Sequence, residues 1–90
     1  MDFLSVVKAK ILFKLARRRN WGGSHTAFDN LKKGFKPNDL PWVKKAGEEL
    51  IKEGLLVKKP TGYGLQVSLN QEKAGEIKSI VKELLGVDIA

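Results

Sequence analysis

The sequence has no cysteine and a single histidine, His25. Without thiols it can form no disulfide, iron–sulfur cluster or thiolate zinc site. One imidazole and no thiol leave no common nucleophile–base pair. The acidic residues form no close cluster with His25, so no metal site is expected. Gly62-Tyr63-Gly64 is a lone G-x-G between two strand-like runs, not between a strand and a helix, and fails the context of a phosphate loop. No apolar run approaches the ~20 residues of a membrane helix. Asp2, Lys8, Lys10 and Lys14 interrupt the N-terminal apolar stretch that a secretory signal would need. The expectation is a cytoplasmic, non-enzymatic chain with no cofactor, no metal, no small-molecule ligand and no membrane partner.

What the sequence does contain is a core and a lopsided charge. Its 90 residues, 42% hydrophobic and 30% charged, suit one globular domain spanning 1–90. A domain of this size has little apolar area to spare for a deep ligand cavity. The net charge is +7. Residues 1–45 carry eleven Lys/Arg and three Asp, a balance of +8; residues 46–90 carry six Lys and seven Asp/Glu, a balance of −1. A one-sided positive field attracts polyanions, nucleic acid first among them.

Residues 2–19 lack Gly and Pro, and Leu4, Val7, Ile11 and Leu15 repeat at helical spacing. Val6, Ala9, Leu12, Phe13 and Ala16 make this first helix apolar nearly all round, so it must be covered on two sides. Arg17, Arg18 and Arg19 fall in its last turn, where cations suit the helix dipole. A second helix is expected over 26–33, with Thr26 as N-cap, Asp29 in capping-box position and Gly34 as its stop. Asn38 or Asp39 caps a third, with Pro41 in its first turn and Gly54 at its end. Val43, Ala46, Gly47, Leu50 and Ile51 form its core stripe. Lys44, Lys45, Glu48, Glu49 and Lys52 are left on the outside. Two strands follow over 55–59 and 65–70, joined by a hairpin loop at 60–64. Asn70 then caps a fourth helix to Leu85, with Ala74, Ile77, Val81 and Leu84 inward.

The segment Leu50-Ile51-Lys52-Glu53-Gly54-Leu55 joins the third helix to the hairpin. It resembles the Leu-x-x-x-Gly-Leu that closes the recognition helix of winged helix-turn-helix domains, and the resemblance covers about residues 5–85. His25-Thr26, Asn30-Leu31-Lys32-Lys33-Gly34-Phe35 and Thr61-Gly62-Tyr63-Gly64-Leu65 are similar to strings in small archaeal members of that family. The resemblance implies an α+β winged helix that binds duplex DNA and regulates transcription or shapes DNA. It puts Asn38, Trp42, Lys44 and Lys45 on the recognition helix, and Lys58, Lys59, Thr61 and Tyr63 on the wing. Lys10, Lys14 and Arg17, at i, i+4 and i+7, add a basic stripe on the first helix.

Several of these residues admit a second reading. Lys44 with Glu48, and Lys45 with Glu49, can be i, i+4 ion pairs on a wet face. Trp42 can be a packing residue. The stretch 34–38 is longer than the usual three- or four-residue turn of the motif, which leaves the angle of the third helix open. A protein–protein adaptor and an RNA-binding accessory of translation are the competing functions. A homodimer through the first and fourth helices is expected, because one hairpin and two short helices offer little to cover both sides of the first helix.

Overall fold

The computed structural model describes residues 2–89. It is an α+β fold of three α-helices and a three-stranded antiparallel sheet among the described residues, an arrangement compatible with a winged helix. The helices are α1 (Phe3–Arg17), α2 (Leu40–Lys52) and α3 (Ala74–Leu85). The strands are β1 (Thr26–Ala27), β2 (Leu56–Thr61) and β3 (Gly64–Leu69), in the order β1-β3-β2. Among the described residues no helix is long and apolar enough to cross a membrane.

α1 begins where Asp2 caps it, its carboxylate accepting a hydrogen bond from the Ser5 N–H at 2.7 Å. It ends two residues earlier than the periodicity suggests. Arg18 is the C-cap and Arg19 turns left-handed at φ +57°. Val7, Ala9, Ile11, Leu12, Leu15 and Ala16 are buried. α2 covers one side of the helix and α3 another, within one chain. The two helices expected to meet across a dimer therefore meet intramolecularly. Phe3 stays exposed, and Leu4, Val6 and Phe13 are only partly buried.

The expected second helix is absent. Thr26 and Ala27 pair with Val67 and Gln66 as β1, and Phe28–Lys32 forms only a 3₁₀ turn. Eight residues are too few to offset helix nucleation on their own, and Thr26 and Ala27 gain ladder bonds to β3 instead. Thr26 caps nothing: its Oγ1 accepts from Asn30 Nδ2 at 3.0 Å. Leu31 is fully buried, and Phe28 packs against the core from a half-buried position.

A second 3₁₀ turn, Pro37–Asp39, leads into α2, and Asp39 makes no side-chain cap bond. At the far end Gly54, at φ +80°, terminates α2 as expected. β2 and β3 extend further than expected, so that Gly62 and Tyr63 alone connect Thr61 to its partner Gly64. Pro60 is tolerated because β2 is an edge strand. Asn70 caps a short 3₁₀ turn, Gln71–Lys73, that continues into α3. Its amide also donates to the Gly54 carbonyl at 2.9 Å, tying that turn to the end of α2. Ile77 and Val81 are fully buried, whereas Ala74 and Leu84 stay half-exposed at the ends of the stripe.

Candidate nucleic-acid interface

α2 is gripped on three sides. Its core stripe, Val43, Ala46, Gly47 and Leu50, is buried. On one flank Gly47 lies against the Phe28 ring of the 3₁₀ turn. On the other flank α1 approaches. Lys8 Nζ stands 2.9 Å from Glu49 Oε1 and 2.9 Å from Glu53 Oε2, and the Phe3 ring meets Trp42 edge-on at 5.5 Å. The side left open carries Pro41, Lys44, Lys45, Glu48 and Lys52, all exposed.

The i, i+4 ion pairs that helical spacing allows on this side do not form among the described residues. Glu49 is turned to Lys8 instead. Among the described residues no carboxylate lies within ion-pair distance of Lys44 or Lys45. Only Lys8, Lys73 and Lys82 are so paired, out of 17 Lys and Arg in the chain. The fold thus draws Glu49 and Glu53 toward Lys8, and Glu48 stays on the open side without an ion-pair contact to Lys44 or Lys45.

The hairpin separates two residues that are adjacent in sequence. In the register Lys58 pairs with Val67 and Lys59 with Gln66. Directly paired residues share a face and neighbours alternate. Lys58 therefore lies on the face of the buried Leu56, Val67 and Leu69, toward the helices, and Lys59 on the outer face. At the tip Tyr63 is 99% exposed. Thr61 has a structural part: its Oγ1 accepts from the Tyr63 N–H at 3.1 Å and donates to the Gly64 carbonyl at 2.9 Å, closing the turn.

The remaining residues expected in the site divide in the same way. Asn38 is exposed just before α2. Trp42 packs on Phe3 and is 42% exposed. Lys14 is spent inside the fold. Its ammonium donates to the carbonyls of Asn30 and Lys33, fastening the 3₁₀ turn to α1. Burial first, then the nearby Arg18 and Lys33 charges, lowers its pKa below the usual lysine value. Arg17 lies over the Phe13 ring at 5.7 Å. Lys10 remains exposed and is joined by Lys33 and Lys36, which line the same shallow basin. Helical spacing cannot group residues 33 and 36 with α1. The only signal in the sequence is the charge density of Lys32-Lys33-Gly34-Phe35-Lys36.

Beside Lys44, a groove of about 580 Å³ runs between the 3₁₀ turn and the start of α2. Its floor is Phe28, Leu31, Leu40 and Val43, with Asp29, Lys32 and Lys44 at the rim. Among the described residues no three His, Cys, Asp or Glu side chains gather as a metal-holding group. No family model, curated protein or solved structure matches the chain.

Proposed function

We propose that this chain is a winged helix that binds duplex DNA rather than catalysing a reaction. In this reading α2 is the recognition helix and the β2–β3 hairpin is the wing. The observation that carries it is the pair Lys44 and Lys45, exposed and without carboxylate partners on the open side of α2. An unpaired ammonium on a helix of this exposure is free to reach base edges or phosphates. A role in transcription regulation, or in shaping DNA in the cytoplasm, follows from this mode of binding.

The test is affinity for duplex DNA, single-stranded DNA and RNA across a range of salt. Duplex should bind best, and log affinity should fall with log salt by ~0.9 per phosphate contact. Alanine at both Lys44 and Lys45 should weaken duplex binding without unfolding the domain. A loss that varies between sequences marks base contact, and a uniform loss marks phosphate contact. Duplex affinity unchanged in the double variant at every salt would remove α2 from the interface. Preference for RNA would favour the translation accessory. Light scattering on the free and bound chain reads whether two copies engage two half-sites.

A second reading rests on the groove beside Lys44. Its apolar floor suits an apolar side chain of a protein partner, which is the adaptor function. Duplex binding that survives in Leu40→Glu but is lost in the Lys44/Lys45 variant separates the two.

A further inference from the structure

We propose that the flank of α1 forms a second, sequence-independent surface for a phosphodiester backbone, distinct from the open side of α2. The proposal rests on the nucleic-acid reading above for its partner, but its residues and its test are separate. Three shallow depressions run together along this flank. The basin lined by Lys10, Lys33 and Lys36 shares Lys14 with a groove formed by Phe13, Arg17 and Arg18. That groove shares Phe13 and Arg17 with a third, which holds Arg19 and Trp21. The result is one cationic belt built from two segments distant in sequence.

Among the described residues no carboxylate is within ion-pair distance of any cation of the belt. Two carboxylates border it. Asp39 lies at the basin end, and Asp88, at the other end, is engaged by Lys82 at 3.3 Å. So many like charges held together repel one another, and a bound polyanion relieves that repulsion.

Two details fix the geometry of the belt. Lys14 is anchored by the Asn30 and Lys33 carbonyls, which brings the Lys33 segment against α1. Arg19 occupies a left-handed position, φ +57°, where glycine is the usual residue, and still presents a cation there. The long stretch between Gly34 and Asn38 also gains a purpose, because it carries Lys36 round to face Lys10. A row of cations spread over three joined depressions suits the repeated charges of a backbone better than a single small anion.

The test compares two triple variants of equal charge. One is Lys10→Gln with Lys33→Gln and Lys36→Gln; all three side chains are exposed. The control is Lys73→Gln with Lys78→Gln and Ser79→Asp, on the α3 side, which leaves the Lys82–Asp88 pair intact. The probes are a duplex of arbitrary sequence and inorganic polyphosphate, each titrated across salt. The belt variant should lose about two to three units of log–log salt slope on unrelated duplexes alike, and most of its polyphosphate binding. The control should keep both. An unchanged slope and unchanged polyphosphate binding in the belt variant overturn the proposal. So does an equal loss in the control, which would reduce the effect to net charge. Duplex binding that depends on the belt but is unchanged in the Lys44/Lys45 variant supports the surface and sinks the α2 reading instead.

Discussion

Gly47 and Phe28 are fitted to each other: a methyl group at position 47 would stand 2.8 Å from Cε2 of the Phe28 ring and 3.0 Å from Leu31 Cδ1. The glycine is what lets the 3₁₀ turn lie flat against α2. Alanine at a helix interior is ordinarily worth about 1 kcal/mol over glycine. Overpacking a fitted contact costs about 1–3 kcal/mol. Gly47→Ala should therefore destabilise the domain by about 1 kcal/mol, lowering its thermal midpoint by about 5 °C. In a Phe28→Leu background the same change should become neutral or stabilising. Equal stabilisation in both backgrounds would show that the ring does not constrain the glycine.

Lys8 links α1 to α2 through Glu49 and Glu53, and this gives stability a dependence on alkaline pH. Burial alone lowers the Lys8 pKa, but the hydrogen bonds and charges of Glu53 and Glu49 outweigh it and raise it above the usual 10.5. A raised folded-state pKa means that the unfolded chain loses its proton first. The contribution is fully present below about 10.5 and is lost as pH rises through the higher folded value. Lys8→Met should cost about 1 kcal/mol at neutral pH, since both carboxylates are partly exposed and screened. The gap between parent and variant should shrink above that pH. Denaturant melts at several pH values check this; a gap that widens with pH would refute the assignment.

Arg19 closes α1 in the manner of a Schellman cap: its N–H donates to the Ala16 carbonyl at 3.0 Å, and the Asn20 N–H donates to that of Leu15 at 2.9 Å. The left-handed conformation costs a side-chain-bearing residue about 1 kcal/mol. Arg19→Gly should raise stability by that order and lower affinity for polyanions at the same time. Calorimetry and a salt titration on one preparation read both. A variant that is less stable would mean that the Arg19 side chain is a packing element.

Lys58 and Lys59 should not behave as a pair. Lys58 lies on the helix side of the hairpin and Lys59 on the outer side. Alanine at Lys58 should lower the salt slope of duplex binding by about one, and alanine at Lys59 should leave it nearly unchanged. Equal losses at both positions would mean that nucleic acid wraps the edge of the hairpin.

Elements set by local chemistry were legible in the sequence. The apolar repeats of Leu4–Val7–Ile11–Leu15 and Ile77–Val81, and the stop at Gly54, fall where the chain folds. The hairpin, too, follows from alternation and two glycines. Residues 26–33 carry local helix signals but do not form the helix, because β3, about forty residues away, offers ladder bonds to Thr26 and Ala27.

The lopsided charge was likewise fixed by the sequence alone: +8 in the first 45 residues and −1 in the rest. Which cations remain available was decided only by the tertiary structure. Helical spacing offers Glu49 to Lys45, yet the approach of α1 gives it to Lys8. Stripe spacing groups Lys14 with Lys10, yet backbone carbonyls of the 3₁₀ turn bind its ammonium. Lys33 and Lys36 join Lys10 only because that turn is folded back onto α1. The reason is range. Periodicity reports which neighbours within a few residues can share a face. A charge pairs with whatever the packing brings within ~4 Å, and in a fold of crossed helices that partner usually comes from another element.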